Sequence, residues 1–344
     1  MREKILGSLA AFAIGDAMGA PAQELSISSI RKLYGKLEFM CSPKTEFPMT
    51  VGMKAGQVTD DTIMMMATGQ ILTQSKGDYS PANMGALLGQ WARNNPIWRT
   101  SPMFGPTTRS SLLRLANRDN PIEVGTRGSL SNEGVTDGAA MRIPPVGLIF
   151  PGDLDRAVAV AVALTVPTHG TTVAISAATS VAAAVAAAMQ PDADLFSVIR
   201  AGIYGARRGW SEAESNYRTV SAPRVDKRIV QAVSIVLETD NVFEASELIA
   251  DTIGTGIHAA EAVPAAFGLL VAAGGDPNKA AIAGANCGGD TDTIAAIAGS
   301  IAGALKGMGS VNQEWFNTVV TVNELDLEEM AISLESLAYR SIAG

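Results

Sequence analysis

Glycine recurs at every fourth position of "AAIAGSIAGALKG", at Gly299, Gly303 and Gly307, in a stretch whose remaining residues are mostly Ala, Ile and Leu. That step lines the glycines along one helix face, where the missing side chains let a second helix axis come close. In a bilayer the same spacing would suggest dimerising spans. In this chain the expectation is tight packing between interior helices of a soluble protein. Packing of this kind makes a stiff frame, which is what a site assembled from distant loops needs.

Helical periodicity runs almost end to end. Ile5, Leu9 and Phe12 space an amphipathic helix over 3–15, and Asp16 falls on the same face four residues on, so this carboxylate is expected to point inward. Further helical patterns cover about 60–75, 81–94, 107–117, 154–165, 171–189, 194–205, 225–237, 242–253, 258–273, 276–285 and 293–306. Strand patterns are scarce, and Gly/Pro punctuation such as "NNP", "SPMFGP" and "IFPGD" separates the helices. The expected fold is all-α, a compact bundle with irregular loops. No long Ser/Pro-rich linker or charge block divides the chain, so residues 1–344 read as a single domain. The segment "VAISAATSVAAAVAAAM" (173–189) is Ala-rich and lacks the Leu/Ile/Phe density of an inserted span, so a buried helix is expected there.

Charge narrows the partners. The formal net charge is −8, and no Lys/Arg cluster is denser than "GARRGW". This speaks against nucleic acid or an anionic membrane surface and for a metal ion or small polar ligand. Cys41 and Cys287 form neither a CxxC pair nor a disulfide framework, which suits a reducing cytoplasm.

Against this sparse charge, two acidic pairs stand out. "QVTDDTIMMM" sets Asp60 beside Asp61, and "NCGGDTDTIAAIAG" sets Asp290 two residues before Asp292, both at the start of a helical pattern. Asp and Thr are ordinary N-caps, and negative charge is favourable at the positive end of a helix dipole. Yet one cap needs one Asp, whereas here each end carries two, flanked by Thr59 and Thr62 or by Thr291 and Thr293. If the two turns converge, four carboxylates share a small volume, and their repulsion must be relieved by protons or cations. Carboxylates, Thr hydroxyls and water suit magnesium or manganese better than zinc. Only His169 and His258 occur, and no HExxH motif is present, which excludes the usual zinc-hydrolase arrangement. From the residues alone, paired caps and a two-loop metal site both stand.

Six blocks in order resemble the signature of the ADP-ribosylglycohydrolase family: "GSLAAFAIGDAMGAPAQ" (7–23), "TDDT" (59–62), "DGAAMRIPPVGL" (137–148), "THG" (168–170), "EAVPAAFG" (261–268) and "NCGGDTDTIAAIAGSIAGALKG" (286–307). The resemblance implies an all-α fold with a central binuclear site holding two Mg2+ ions, or Mn2+. By position it implies Thr59, Asp60, Asp61, Asp290, Asp292 and Thr293 as metal ligands, with Asp60, Asp61 and Asp292 in catalysis. Asp137, Gly138 and Ala139 would line a diphosphate or ribose pocket, and His169 would lie near the ligand. Asp16 matches the family's "GD" and is expected as a buried cap bonded to backbone amides. Trp98 and Phe104 are aromatic candidates for stacking a base, with packing the expected role for each.

One departure bears on the substrate. Gln23 occupies the position of a Glu found in protein-directed members, and Glu24 comes one place later. Gln cannot accept a proton as a base. The expected activity is magnesium-dependent hydrolysis at the anomeric carbon of an ADP-ribosyl or related ribosyl group, on a small molecule or an ADP-ribosylated protein. The alternatives are a ribosyl or nucleoside-type hydrolase confined to small molecules and a non-catalytic, metal-dependent ADP-ribose binder.

Overall fold

In the computed structural model, described for every residue except Glu46, Pro48, Asp240 and Gly344, the chain is all-α. The helices are α1 (Arg2–Gly19), α2 (Ile27–Tyr34), α3 (Asp60–Gln74), α4 (Pro81–Asn94), α5 (Ile97–Thr100), α6 (Pro106–Ala116), α7 (Pro121–Thr126), α8 (Pro144–Ile149) and α9 (Leu154–His169). They continue with α10 (Thr172–Ala188), α11 (Leu195–Asn216), α12 (Val225–Val236), α13 (Val242–Thr252), α14 (Ala259–Ala272), α15 (Pro277–Ala285), α16 (Thr291–Lys306), α17 (Gln313–Asn323) and α18 (Leu327–Ala343). Among the described residues no strand forms. Three isolated bridges, Leu25 to Gly289, Thr136 to His258 and Thr171 to Arg218, tie loops together instead.

The glycine ladder works as its spacing suggests, between α16 and α1. A Cβ on Gly303 would lie 2.1 Å from the carbonyl oxygen of Gly7, one on Gly299 2.6 Å from that of Ala11, and one on Gly15 2.4 Å from that of Ala295. These pairings run in opposite senses along the two helices, so α1 and α16 are antiparallel and nearly in backbone contact. Ser8 and Ser300, both fully buried, satisfy each other across the interface at 2.8 Å. The same closeness corrects the amphipathic reading of the N-terminal helix. From Gly7 to Gly19 every residue of α1 is buried, because small residues leave room for neighbours on all sides. A helix extending over Arg2–Ala22 is apolar enough to cross a bilayer by length and composition, but 94% of that window is covered by the rest of the protein. α10 is likewise buried at every position but Ala187.

Several helices lie outside the expected set: α2, α5, α7, α8, α17 and α18. In α18 the buried residues Leu327, Met330, Ala331, Leu334, Leu337 and Ala338 do follow a helical step, diluted by Glu and Ser. α11 continues to Asn216, beyond the expected end near 205, because "ARRGWSEAESN" puts charge on its outer face while Gly209, Trp210 and Ala213 turn inward.

The α1–α16 register reaches the acidic turns. A Cβ on Gly19 would stand 2.4 Å from the Asp292 backbone and from the Thr291 carbonyl, atoms that cannot yield locally. Gly19→Ala is expected to cost about 1–3 kcal/mol of stability, the usual range for overpacking. It should also displace the second acidic turn, and thermal melts should show a lower melting temperature than wild type.

Candidate metal-dependent active site

Three segments remote in sequence meet at the centre of the helical frame. The first is the start of α3. Thr59 is its N-cap, and its hydroxyl accepts from the Asp61 amide at 3.3 Å. Asp16, fully buried at the end of α1, accepts from the amides of Thr59 (3.0 and 3.1 Å) and Thr62 (3.0 Å) and from the Thr62 hydroxyl (2.5 Å). The capping duty at α3 therefore falls to Thr59 and Asp16, which leaves the carboxylates of Asp60 and Asp61 free for something else.

The second segment is the turn before α16. Gly288 and Gly289 take positive φ of 74° and 69°, and a Cβ on Gly289 would come within 2.3 Å of the Thr255 carbonyl oxygen. Only glycine permits both the conformation and the approach. The turn is held by the Gly289 amide on the Leu25 carbonyl (2.9 Å), the Glu24 amide on the Gly289 carbonyl (2.7 Å) and the Asp290 amide on the Thr255 carbonyl (2.7 Å). Asp290 occupies the N-cap position of α16, but its side chain makes no capping hydrogen bond.

The third is a 3₁₀ turn over Asp137–Ala139. It is fastened by the Asp137 amide on the Ile257 carbonyl (3.1 Å) and by the Thr136–His258 bridge. This turn sets Asp137 beside Asp290, which also acts on Asp292. Asp137 thus joins the acidic cluster itself, beyond the pocket-lining place that the resemblance implies.

Asp60, Asp61, Asp137, Asp290 and Asp292 are all at least nine-tenths buried. Burial, and after it the neighbouring carboxylates, push Asp61, Asp137 and Asp292 well above the usual Asp value; Asp61 feels Asp292 most, while Asp137 and Asp292 feel Asp290. Asp60 is raised by burial and then by Asp16, with the Arg109 guanidinium opposing. Asp16 itself is raised to about 6 by burial, against the pull of its hydrogen bonds to Thr62 and Thr59. Asp61 Oδ2, Asp137 Oδ2, Asp290 Oδ2 and Asp292 Oδ1 are buried without any donor. Buried polar atoms are normally paired, so four orphaned carboxylate oxygens in one place point to a missing partner that is positively charged.

A divalent cation meets that requirement in charge and in donor type, since every candidate ligand is an oxygen. Among the described residues no three His, Cys, Asp or Glu side chains already stand as a metal cage. The fit lies in the composition and neutralisation of the cluster.

Above the cluster opens a cavity of about 170 Å³. Asp60, Asp61, Asp137, Gly138, Asp290 and Thr293 line it, as do Gln23 and Glu24. Thr59 and Asp292 lie just beneath, with 1% exposure each. Ala139 and His169 are fully buried and do not reach the cavity surface. His169 stands behind Gly138, where an added Cβ would meet its ring at 3.2 Å. Trp98 and Phe104 pack inside the protein, Trp98 donating to the Ala92 carbonyl at 2.8 Å. The neighbouring Met103 faces the cavity instead, with Thr107, Thr108, Thr136 and Ile257, none of which the sequence singles out. A roomier surface groove of about 520 Å³ between α3, α4 and α18 contains none of the acidic pairs. The smaller cavity is the one that the acidic turns line.

Comparison with known proteins agrees with this arrangement. The family profile described as ADP-ribosylglycohydrolase matches residues 1–342. Uncharacterized protein YegU of Escherichia coli K12 is 31% identical over 334 residues, covering 96% of each chain. The ADP-ribosyl-(dinitrogen reductase) glycohydrolase of Rhodospirillum rubrum is 24% identical over 345 residues, covering 98% of this chain and 97% of the relative. A solved structure titled ADP-ribosylglycohydrolase-related protein complex shares the fold, with a TM-score of 0.67 at 22% identity and 98% coverage of both chains. The profile match across nearly the whole length, together with a relative above 30% identity, establishes that the chain belongs to the ADP-ribosylglycohydrolase family of glycosyl hydrolases.

Proposed function

We propose that the chain is a divalent-metal-dependent hydrolase cleaving the bond at the anomeric carbon of an ADP-ribosyl or related ribosyl group. The observation that carries this reading is the set of buried, donor-less carboxylate oxygens from three remote segments beneath one cavity. Thr59, Asp60, Asp61, Asp290, Asp292 and Thr293 would hold Mg2+, or Mn2+ in its place, as a pair of ions. The metal supplies charge stabilisation and orients the sugar hydroxyls and a water.

The chain's own groups do the rest. Asp60, Asp61 and Asp292, dry and mutually repelling, accept a proton more readily than an exposed Asp, and proton removal by such a base contributes about 10²–10⁴-fold. Asp137 faces the same space and orients the ligand against Asp290. Gln23 lines the cavity as a hydrogen-bonding amide with a buried, unpaired Oε1. Glu24 lines it too, in a left-handed conformation (φ 62°). Its carboxyl is raised by burial and then by Asp290, so it is a second group able to exchange a proton at the mouth. The free thiols of Cys41 and Cys287 fit a cytoplasmic setting.

Cavity size favours a ribosyl unit as the part that enters. At about 170 Å³ it falls below the roughly 300–1,000 Å³ of pockets that enclose drug-sized ligands. The remainder of the substrate then lies across the mouth, by Met49, Met103 and Ile257. Among the described residues no Lys or Arg lines the cavity, and this specific feature favours, as a second reading, small ribosyl compounds over a polyanionic or protein-linked group.

Turnover of ADP-ribosylated arginine, a free nucleoside and a ribosyl phosphate, each with Mg2+ and with EDTA, separates these readings. Magnesium-dependent release of ADP-ribose from the arginine conjugate is expected. Equal turnover in EDTA would remove the metal from the proposal. Metal-dependent thermal stabilisation by ADP-ribose without any product would identify a binder.

A further inference from the structure

Behind the cavity wall lies a buried chain of hydrogen bonds that the acidic cluster does not use. Arg142 is 1% exposed and has no carboxylate partner among the described residues; its Nη2 donates to the Leu164 carbonyl at 3.0 Å and to the Thr168 hydroxyl at 2.7 Å. Thr168 Oγ1 lies 2.9 Å from His169 Nδ1, and His169 Nε2 lies 3.0 Å from Thr136 Oγ1. Thr136 is half-buried and lines the cavity.

The direction of each bond can be derived. A guanidinium only donates, so Thr168 Oγ1 must accept from Arg142. The Thr168 hydroxyl has one hydrogen to give, either to the Thr165 carbonyl at 3.4 Å or to His169 Nδ1 at 2.9 Å. The first contact is the longer and weaker, beyond the roughly 2.5–3.0 Å usual for an O–H···O bond, which favours giving the hydrogen to Nδ1. An imidazole that accepts at Nδ1 carries its proton on Nε2, and Nε2–H then donates to Thr136 Oγ1. Thr136 Oγ1 accepts from His169 through one of its two lone pairs and makes no other hydrogen bond among the described residues. Its own hydroxyl hydrogen is left to face the cavity.

We propose that Thr136 is a specificity-determining contact that presents a hydrogen-bond donor to an acceptor oxygen of the ligand, and that Arg142, Thr168 and His169 are positioning residues that fix this polarity. The proposal rests on the reading of the cavity as the ligand site. It assigns a role at the cavity to the residue that immediately precedes the 3₁₀ turn, and it explains why a histidine with no access to the cavity is nonetheless built into its wall. Burial and the Arg142 charge both keep His169 neutral, consistent with a single ring proton.

The chain has only two histidines, so a ¹⁵N-histidine correlation spectrum of the full-length protein reads the relay directly. His258 is an internal reference, because its Nδ1 accepts from the Ala260 amide at 3.1 Å. For His169 the expected result is a protonated Nε2 and a bare Nδ1; a proton on Nδ1 overturns the proposal. Thr168→Val should shift the His169 signals toward a tautomer mixture, and Thr168→Ser should restore them. Unchanged signals in Thr168→Val would show that the relay does not position the ring. Titration with ADP-ribose in Mg2+ then tests the contact. Thr136→Ser should bind within about twofold of wild type and Thr136→Val about tenfold more weakly, the worth of one hydrogen bond. Equal affinity of the Val variant, or equal weakening in both, overturns the assignment. Failure of the wild type to bind ADP-ribose would count against the functional reading, whereas the ligand-free nitrogen spectrum still decides the polarity of the relay.

Discussion

Asp61→Asn is expected to raise the melting temperature of the metal-free protein and, in the same variant, to abolish turnover and the stabilisation by Mg2+ that the proposed function predicts for the wild type. Asp61 Oδ2 is buried without a donor, and Asp292 is the carboxylate that acts on Asp61 most strongly. An amide at this position replaces a carboxylate facing a carboxylate with a donor facing an acceptor. A hydrogen bond to a charged group contributes about 1.5–3 kcal/mol, which sets the size of the gain. The cost falls on function. Removing a proposed metal ligand should lower activity by more than the roughly 10–100-fold that loss of a ligand's outer partner costs. On the same proposal, wild type held at a hundredfold excess of Mg2+ over its dissociation constant should gain about 2.7 kcal/mol that the variant lacks. Thermal melts in EDTA and in Mg2+, paired with turnover, give both signs in one experiment. A variant less stable than wild type in EDTA, with activity retained, would mean that the cluster is an ordinary hydrogen-bonded core.

The metal-free protein is also expected to lose stability as pH climbs through about 6 and above, and the proposed binding of Mg2+ is expected to flatten that dependence. The Asp16 carboxyl rises from 3.8 to about 6 on folding, and Asp60, Asp61, Asp137 and Asp292 rise well above 3.8. An acid whose folded value lies above its unfolded one holds its proton more tightly in the folded chain. Its contribution is complete below the unfolded value and is lost as pH climbs through the folded one. His169 works in the opposite sense. Its folded value falls to about 3, so its contribution is complete above its ordinary 6.5 and is lost as pH drops below that. The carboxylates therefore dominate where His169 has ceased to titrate, above its ordinary 6.5. On the proposed reading Mg2+ would take the place of the protons, so its affinity should rise as they are lost. Melting temperatures at fixed ionic strength across this range provide the check; a flat profile in EDTA would indicate carboxylates that carry no excess protons.

Much of this arrangement is legible along the chain. The four-residue glycine step foretells the close α1–α16 contact, since helical spacing alone decides which residues share a face. The Gly288–Gly289 turn ahead of Asp290 is legible for a similar reason, because positive φ beside a crowded carbonyl leaves little choice but glycine. Asp16 as an inward cap follows from its place on the apolar stripe of α1. Less legible are α18, whose apolar step is diluted by Glu and Ser, and the end of α11, whose buried residues are interleaved with Arg and Glu.

By itself the sequence determined where most of the helices lie and that two acidic turns begin two of them, because periodicity, capping and backbone conformation act over a few residues. Only the tertiary structure decided that these turns, with Asp137, face one another, that Asp60 and Asp61 are spared from capping by Thr59 and Asp16, and that His169 supports the cavity wall from behind. Those facts depend on distances between residues far apart in the chain, and electrostatic repulsion or hydrogen-bond polarity between such groups exists only once packing has brought them within a few ångströms.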